Sequence, residues 1–130
     1  MSNDPADWAT NATYLHGIEL FNNRQFWEAH EAWEEIWLVV DGVQSDFLQG
    51  LIQCSAALLK YSRAETAPAL RLYKTAREKL DRCPDQYMGL NVRDFQRAMA
   101  AAFHPIVAGT LQPLDPNSIP LIRVSIAPQP

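Results

Sequence analysis

An all-α fold, a compact antiparallel bundle of about five helices with an extended Pro-rich C-terminal tail, follows from three observations. Apolar residues recur at helical spacing in five stretches, the breaks between them are short and rich in turn residues, and five of the nine prolines crowd into Thr110 to Pro130. The chain then divides into a helical domain over 1–110 and a tail over 111–130 that packs on the bundle or on a partner.

The first helix is expected from about Ala9 to Asn23, where Tyr14, Ile18 and Phe21 share one face and Gly17 marks a close approach by a neighbour. Asn22 to Gln25 make a short connection. The second helix runs from about Phe26 to Val40 and stops at Asp41-Gly42. Ser45 or Asp46 is placed to cap the third, which ends near Arg63 and is apolar nearly all round, as a central helix must be. Thr66 with Pro68 in the first turn starts the fourth, whose stripe is Ala69, Leu72, Tyr73, Ala76 and Leu80. Pro84 and Gly89 bracket a loop. Asn91 caps the fifth helix, with Val92, Phe95, Met99, Ala102 and Phe103 facing the core, and Pro105 kinks or ends it. In the tail, "IPLIRVSI" is expected to lie extended.

At 130 residues, the chain has the size of one domain that buries roughly two thirds of its unfolded surface without metal or disulfide support. A net charge of -4 gives nucleic acid no overall attraction. The most apolar window, Phe47 to Leu59, is too short to span a bilayer and is broken by Gln49 and Gln53. No membrane partner is expected. Cys54 and Cys83 lie in unrelated contexts, and the opening "MSNDPADW" has neither a basic start nor an apolar run, so a cytoplasmic protein with free thiols is expected.

The densest chemistry is "FWEAHEAWEEIW", Phe26 to Trp37, which holds three of the four tryptophans, four glutamates and one of the three histidines. On a wheel of about 100° per residue, His30 and Glu34 fall inside the apolar arc one turn apart, whereas Glu28, Glu31 and Glu35 lie at its edge or opposite. The third helix carries a matching polar stripe of Gln49, Gln53 and Lys60. Buried polar groups need partners, so one inward network of His30, Glu34, Gln49 and Gln53, flanked by Glu28 and Glu31, is the expected arrangement. Phe26, Trp33 and Trp37 are then groove or core aromatics.

Two chemistries fit these residues. The first is a structural network that fixes helix register, with no cofactor and no metal. The second takes His30-Glu31-Ala32-Trp33-Glu34 as a shortened H-E-x-x-H helix, with His30 and Glu34 holding a divalent metal such as zinc or iron, Glu31 or Glu28 as base, and His16 or His104 as a third ligand. That pattern lacks its second histidine. No nucleophile elbow occurs and neither cysteine has an evident basic partner, while Arg71, Lys74, Lys79 and Arg82 are interleaved with Glu78 and Asp81 as on a solvated face.

At these residues the chain resembles a family of small bacterial and archaeal proteins, domain of unknown function 309. The resemblance rests on "LFNNRQFWEAHEAWEEIW", Leu20 to Trp37, followed by "DFLQGLIQCSAALLKY", Asp46 to Tyr61, and covers roughly Leu15 to Leu80. Phe21, Asn22, Phe26, Glu28, Ala29, His30, Glu31, Glu34 and Trp37 fit its first block, and Gln49, Gly50, Leu51, Ile52 and Gln53 its second. It implies an all-helical fold and no assigned activity. The chain departs from the family pattern at Arg24, where a glycine is usual, at Ala64-Glu65 in place of Gly-Asn, and at Lys60, where many members carry histidine.

The function expected from these residues is binding or scaffolding rather than catalysis, through an aromatic-rimmed groove or a helix face, with a second copy or another protein as partner. Trp8, Trp27, Tyr61 and "PLIRVSI" exceed what one small core easily covers. A metal-assisted hydrolase is the alternative.

Overall fold

The computed structural model describes residues 9–125. Trp8 and residues 126–130, which include the end of the apolar tail motif, lie outside the described residues. Helix α1, Ala12–Asn22, starts where the Asn11 side chain accepts the Tyr14 backbone N–H at 3.0 Å. Tyr14, Gly17, Ile18 and Phe21 are its buried face. A β-carbon on Gly17 would lie 2.3 Å from the Trp33 indole nitrogen, so only glycine lets the second helix come this close.

Helix α2, Phe26–Trp37, follows a tight turn in which Arg24 is left-handed, φ 64°, and the Arg24 and Gln25 amides close on the Phe21 and Leu20 carbonyls. It stops earlier than the sequence pattern suggests, because Leu38 and Val39 face solvent and add no packing. Helix α3, Gly42–Ser62, in turn begins earlier than a Ser45 or Asp46 cap implies. Asp41 is extended, and Gly42, left-handed at φ 59°, turns the chain directly into the helix. α3 packs on both α2 and α4, Thr66–Asp81. Gly50 admits the Leu80 side chain, which would stand 2.7 Å from a β-carbon there. The α3–α4 turn repeats the α1–α2 one, with Ala64 at φ 60° and the Ala64 and Glu65 amides bonded to Tyr61 and Lys60.

The loop expected between Pro84 and Gly89 is instead a small antiparallel hairpin, β1 Gln86–Tyr87 and β2 Leu90–Asn91. Met88 and Gly89, at φ 48° and 78°, form the doubly left-handed turn that suits a two-residue hairpin. Asn91 then caps α5, Val92–Val107, by accepting the Asp94 N–H. Pro105 does not end that helix, since its missing bond would fall to Ala101, which is exposed and leaves its carbonyl to water.

The tail lies on the bundle as far as Ser125. Among the described residues its one helical element is a single 3-10 turn, Pro116–Ser118, which Asp115 caps. Asn22 clamps Ile122 from both sides, donating to its carbonyl at 2.9 Å and accepting its N–H at 2.8 Å. Val124 then pairs with Leu90 as a third strand position. The core centres on Phe21, which meets Phe26, Trp33 and Phe95 at ring distances of 5.3 to 5.9 Å, and on a second cluster in which Tyr73 stacks on Phe103.

Candidate functional site

α2 presents two different sides. Toward α1, Trp33 is fully buried and its indole N–H donates to the Tyr14 carbonyl at 3.2 Å. Its first turn is tied to α3 by Ser55, whose buried hydroxyl donates to the Phe26 carbonyl at 2.8 Å. Phe26 and Trp33 are therefore core residues. Trp37 is a rim residue, only partly buried.

The other side, shared with α3, holds His30, Glu34, Trp37, Gln49 and Gln53. His30 Nε2 lies 3.2 Å from Glu34 Oε2, with the two side chains 24% and 46% exposed. Trp27, itself 55% exposed, leans on the imidazole with ring centres 5.1 Å apart. Glu34, Trp37, Gln49, Ile52 and Gln53 then line a groove of about 220 Å³.

The four residues expected to form a closed network thus share one face but do not close it. No hydrogen bond among the described residues joins either glutamine amide to His30 or Glu34, and three enclosed polar atoms lack any partner: His30 Nδ1, Trp37 Nε1 and Gln53 Oε1. The physical reason lies in the width of the apolar arc of α2. It is broader than the strip that α1 and α3 cover, so His30 and Glu34 fall on its open margin. His30 Nδ1 thus stands beside a donor at Trp37 and an acceptor at Gln53. Leaving such a group unpaired costs about 1–3 kcal/mol.

Glu28 and Glu31 do not belong to this face. They line a separate groove of about 540 Å³ between α1 and α2, with Glu35, His16 and Thr13. His104 is exposed in the last turn of α5. The candidate third ligands and the candidate bases are therefore on other surfaces than the His30–Glu34 pair, and no three His, Cys, Asp or Glu side chains among the described residues are grouped to hold a metal ion. Cys54 and Cys83 are both buried and unbonded to each other. Burial pushes both thiols up, Cys83 to about 11, with Asp46 adding to the rise and Arg93 opposing it, so neither is a ready nucleophile at neutral pH.

A family model described as a domain of unknown function, DUF309, matches residues 14–72. Over that stretch the chain is similar to DUF309 domains. It runs from Tyr14 in α1 to the middle of α4 and so contains both faces of α2 and the whole open groove. The hairpin, α5 and the tail lie beyond the matched DUF309 residues. No curated protein matches the chain. Among the described residues no helix is long and apolar enough to cross a membrane.

Sequence reasoning missed Ser55, Asn22 and Tyr14 as polar anchors. Ser55 carried a usable signal, a hydroxyl among the leucines on the apolar flank of α3. The other two act on carbonyls and amides far along the chain, the Tyr14 hydroxyl on Met88 and Asn22 on Ile122, and local periodicity holds no trace of such pairings.

Proposed function

We propose that this protein is a cytoplasmic binding or scaffolding module that works as a homodimer, with the α2–α3 face as its two-fold interface. The observation that carries the reading is the pair of enclosed, unpartnered atoms beside one groove, a donor at Trp37 Nε1 and an acceptor at Gln53 Oε1. A two-fold interface is self-complementary, so the indole of each copy meets the amide of the other, and both orphans are satisfied at once. Both residues line the groove. Exposed Trp27, Leu38, Val39 and Val43, at the two ends of α2 and the start of α3, supply apolar area for the same contact. The free cysteines support the cytoplasmic location.

Sedimentation equilibrium of the full chain tests this. A concentration-dependent dimer that Trp37→Ala weakens supports the reading, and a protein that stays monomeric at every attainable concentration contradicts it.

The unpartnered His30 Nδ1 favours one competing reading, a divalent metal such as zinc or iron held by His30 and Glu34 in a hydrolase. Elemental analysis of tag-free protein separates the two. About one metal per chain, lost in His30→Ala, supports the metal centre, whereas metal-free protein that dimerises supports the interface.

A further inference from the structure

Beneath the tail lies a cleft of about 450 Å³, distinct from both grooves of α2 and independent of the dimer. Its size falls in the range of roughly 300–1,000 Å³ typical of small-molecule sites. Phe26, Leu59 and Tyr61 form its floor, and Leu111, Leu114 and Ile119 its roof. The roof is held in place, since Gln112 accepts from the Tyr61 hydroxyl at 3.2 Å and Pro116 from Arg24 at 3.0 Å. Yet Leu111, between these tethers and α5, is 87% exposed instead of filling the space below it.

Arg24 supplies the one charge on this lining. It occupies a left-handed position, φ 64°, where glycine is the unstrained choice. One edge of its guanidinium reaches Pro116 through Nη2, and no carboxylate among the described residues pairs with it. Ala64, the second strained non-glycine turn residue, is on the same wall. Strain of this kind collects at ligand clamps. An apolar cleft with a single unpaired guanidinium suits a ligand with one anionic end, and the planar fork favours a carboxylate.

We propose that this cleft binds a small apolar carboxylic acid, with its chain against Leu59, Phe26 and Leu114 and its carboxylate on the free edge of Arg24. The probes are octanoate, octanol and octylamine, titrated below micelle-forming concentrations into the full chain and followed by backbone amide shifts. Octanoate is expected to bind one per chain and shift Leu59, Ser62 and the 111–119 amides, with octanol weaker by at least about tenfold and octylamine weaker still. Arg24→Gln, which keeps the backbone strain but removes the charge, is expected to reduce octanoate to the level of octanol. Protection of the Ile122 and Ser125 amides from exchange reports whether the tail stays docked in that variant. Ser62→Trp, at an exposed position on the wall, is expected to fill the cleft and abolish octanoate binding. Equal affinity for octanoate and octanol, unchanged octanoate binding in Arg24→Gln or in Ser62→Trp, or shifts centred on Trp27 and Trp37 would each overturn the proposal.

Discussion

Trp33 and Trp37 stand one helical turn apart on α2 and meet opposite fates. Trp33 is enclosed against Gly17 and donates to the Tyr14 carbonyl, and Ser55 and Asn22 likewise have their hydrogen bonds completed within the chain. Trp37 shares its groove with Gln53, and each buries a polar atom that nothing completes. The difference separates architecture from the face we propose as an interface. A polar group that serves the fold alone is finished by the fold, and one left unfinished at an open margin calls for another explanation, which the proposed interface supplies.

The contrast is sharpest in the tryptophans themselves. Trp33→Ala is expected to cost about 3–5 kcal/mol of stability in denaturant unfolding, because it opens a cavity in the packed core. Trp37→Ala is expected to cost about 1 kcal/mol, since its ring is only partly removed from water. Similar losses at the two positions would erase the distinction. Next in size, Asn22→Ala strips both partners from the Ile122 backbone and is expected to cost about 2–3 kcal/mol, with faster amide exchange at Ile122 and Ser125. An unchanged exchange pattern would show that the tail is held without the clamp.

Smaller effects have the opposite sign. Ala64→Gly relieves a left-handed alanine and is expected to stabilise by roughly 1 kcal/mol, read as a higher denaturant midpoint at unchanged slope. Gln53→Leu removes an unpaired acceptor and is expected to leave monomer stability unchanged or raise it by up to about 1 kcal/mol, while it weakens self-association. A loss above that size would mean that the Gln53 amide is bonded in the folded chain after all.

The helices were legible because each repeats an apolar stripe and has a chemical end, Asn91 before α5 and Thr66-Pro68 at α4. The misplaced α2–α3 boundary and the missed hairpin have one cause: Gly42 and Met88-Gly89 are left-handed residues whose role depends on what their neighbours pack against. For the site, the wheel singled out His30, Glu34, Gln49 and Gln53 as sharing a face. It gave inward direction but no covering surface, and so predicted a closed network where the margin is open. Glu28 and Glu31 were joined to that network by sequence proximity, yet helical rotation carries them round to α1. The Asn22–Ile122 clamp spans a hundred residues of chain and has no local signature.

The most direct test of the account is the indole N–H proton resonances of Trp33 and Trp37, followed by NMR as protein concentration rises. The account predicts that the Trp37 signal moves to hydrogen-bonded shifts as the dimer forms and stays fixed in Gln53→Leu, while the Trp33 signal, already bonded to Tyr14, does not move. A Trp37 resonance independent of concentration, or one that shifts equally in Gln53→Leu, would contradict it.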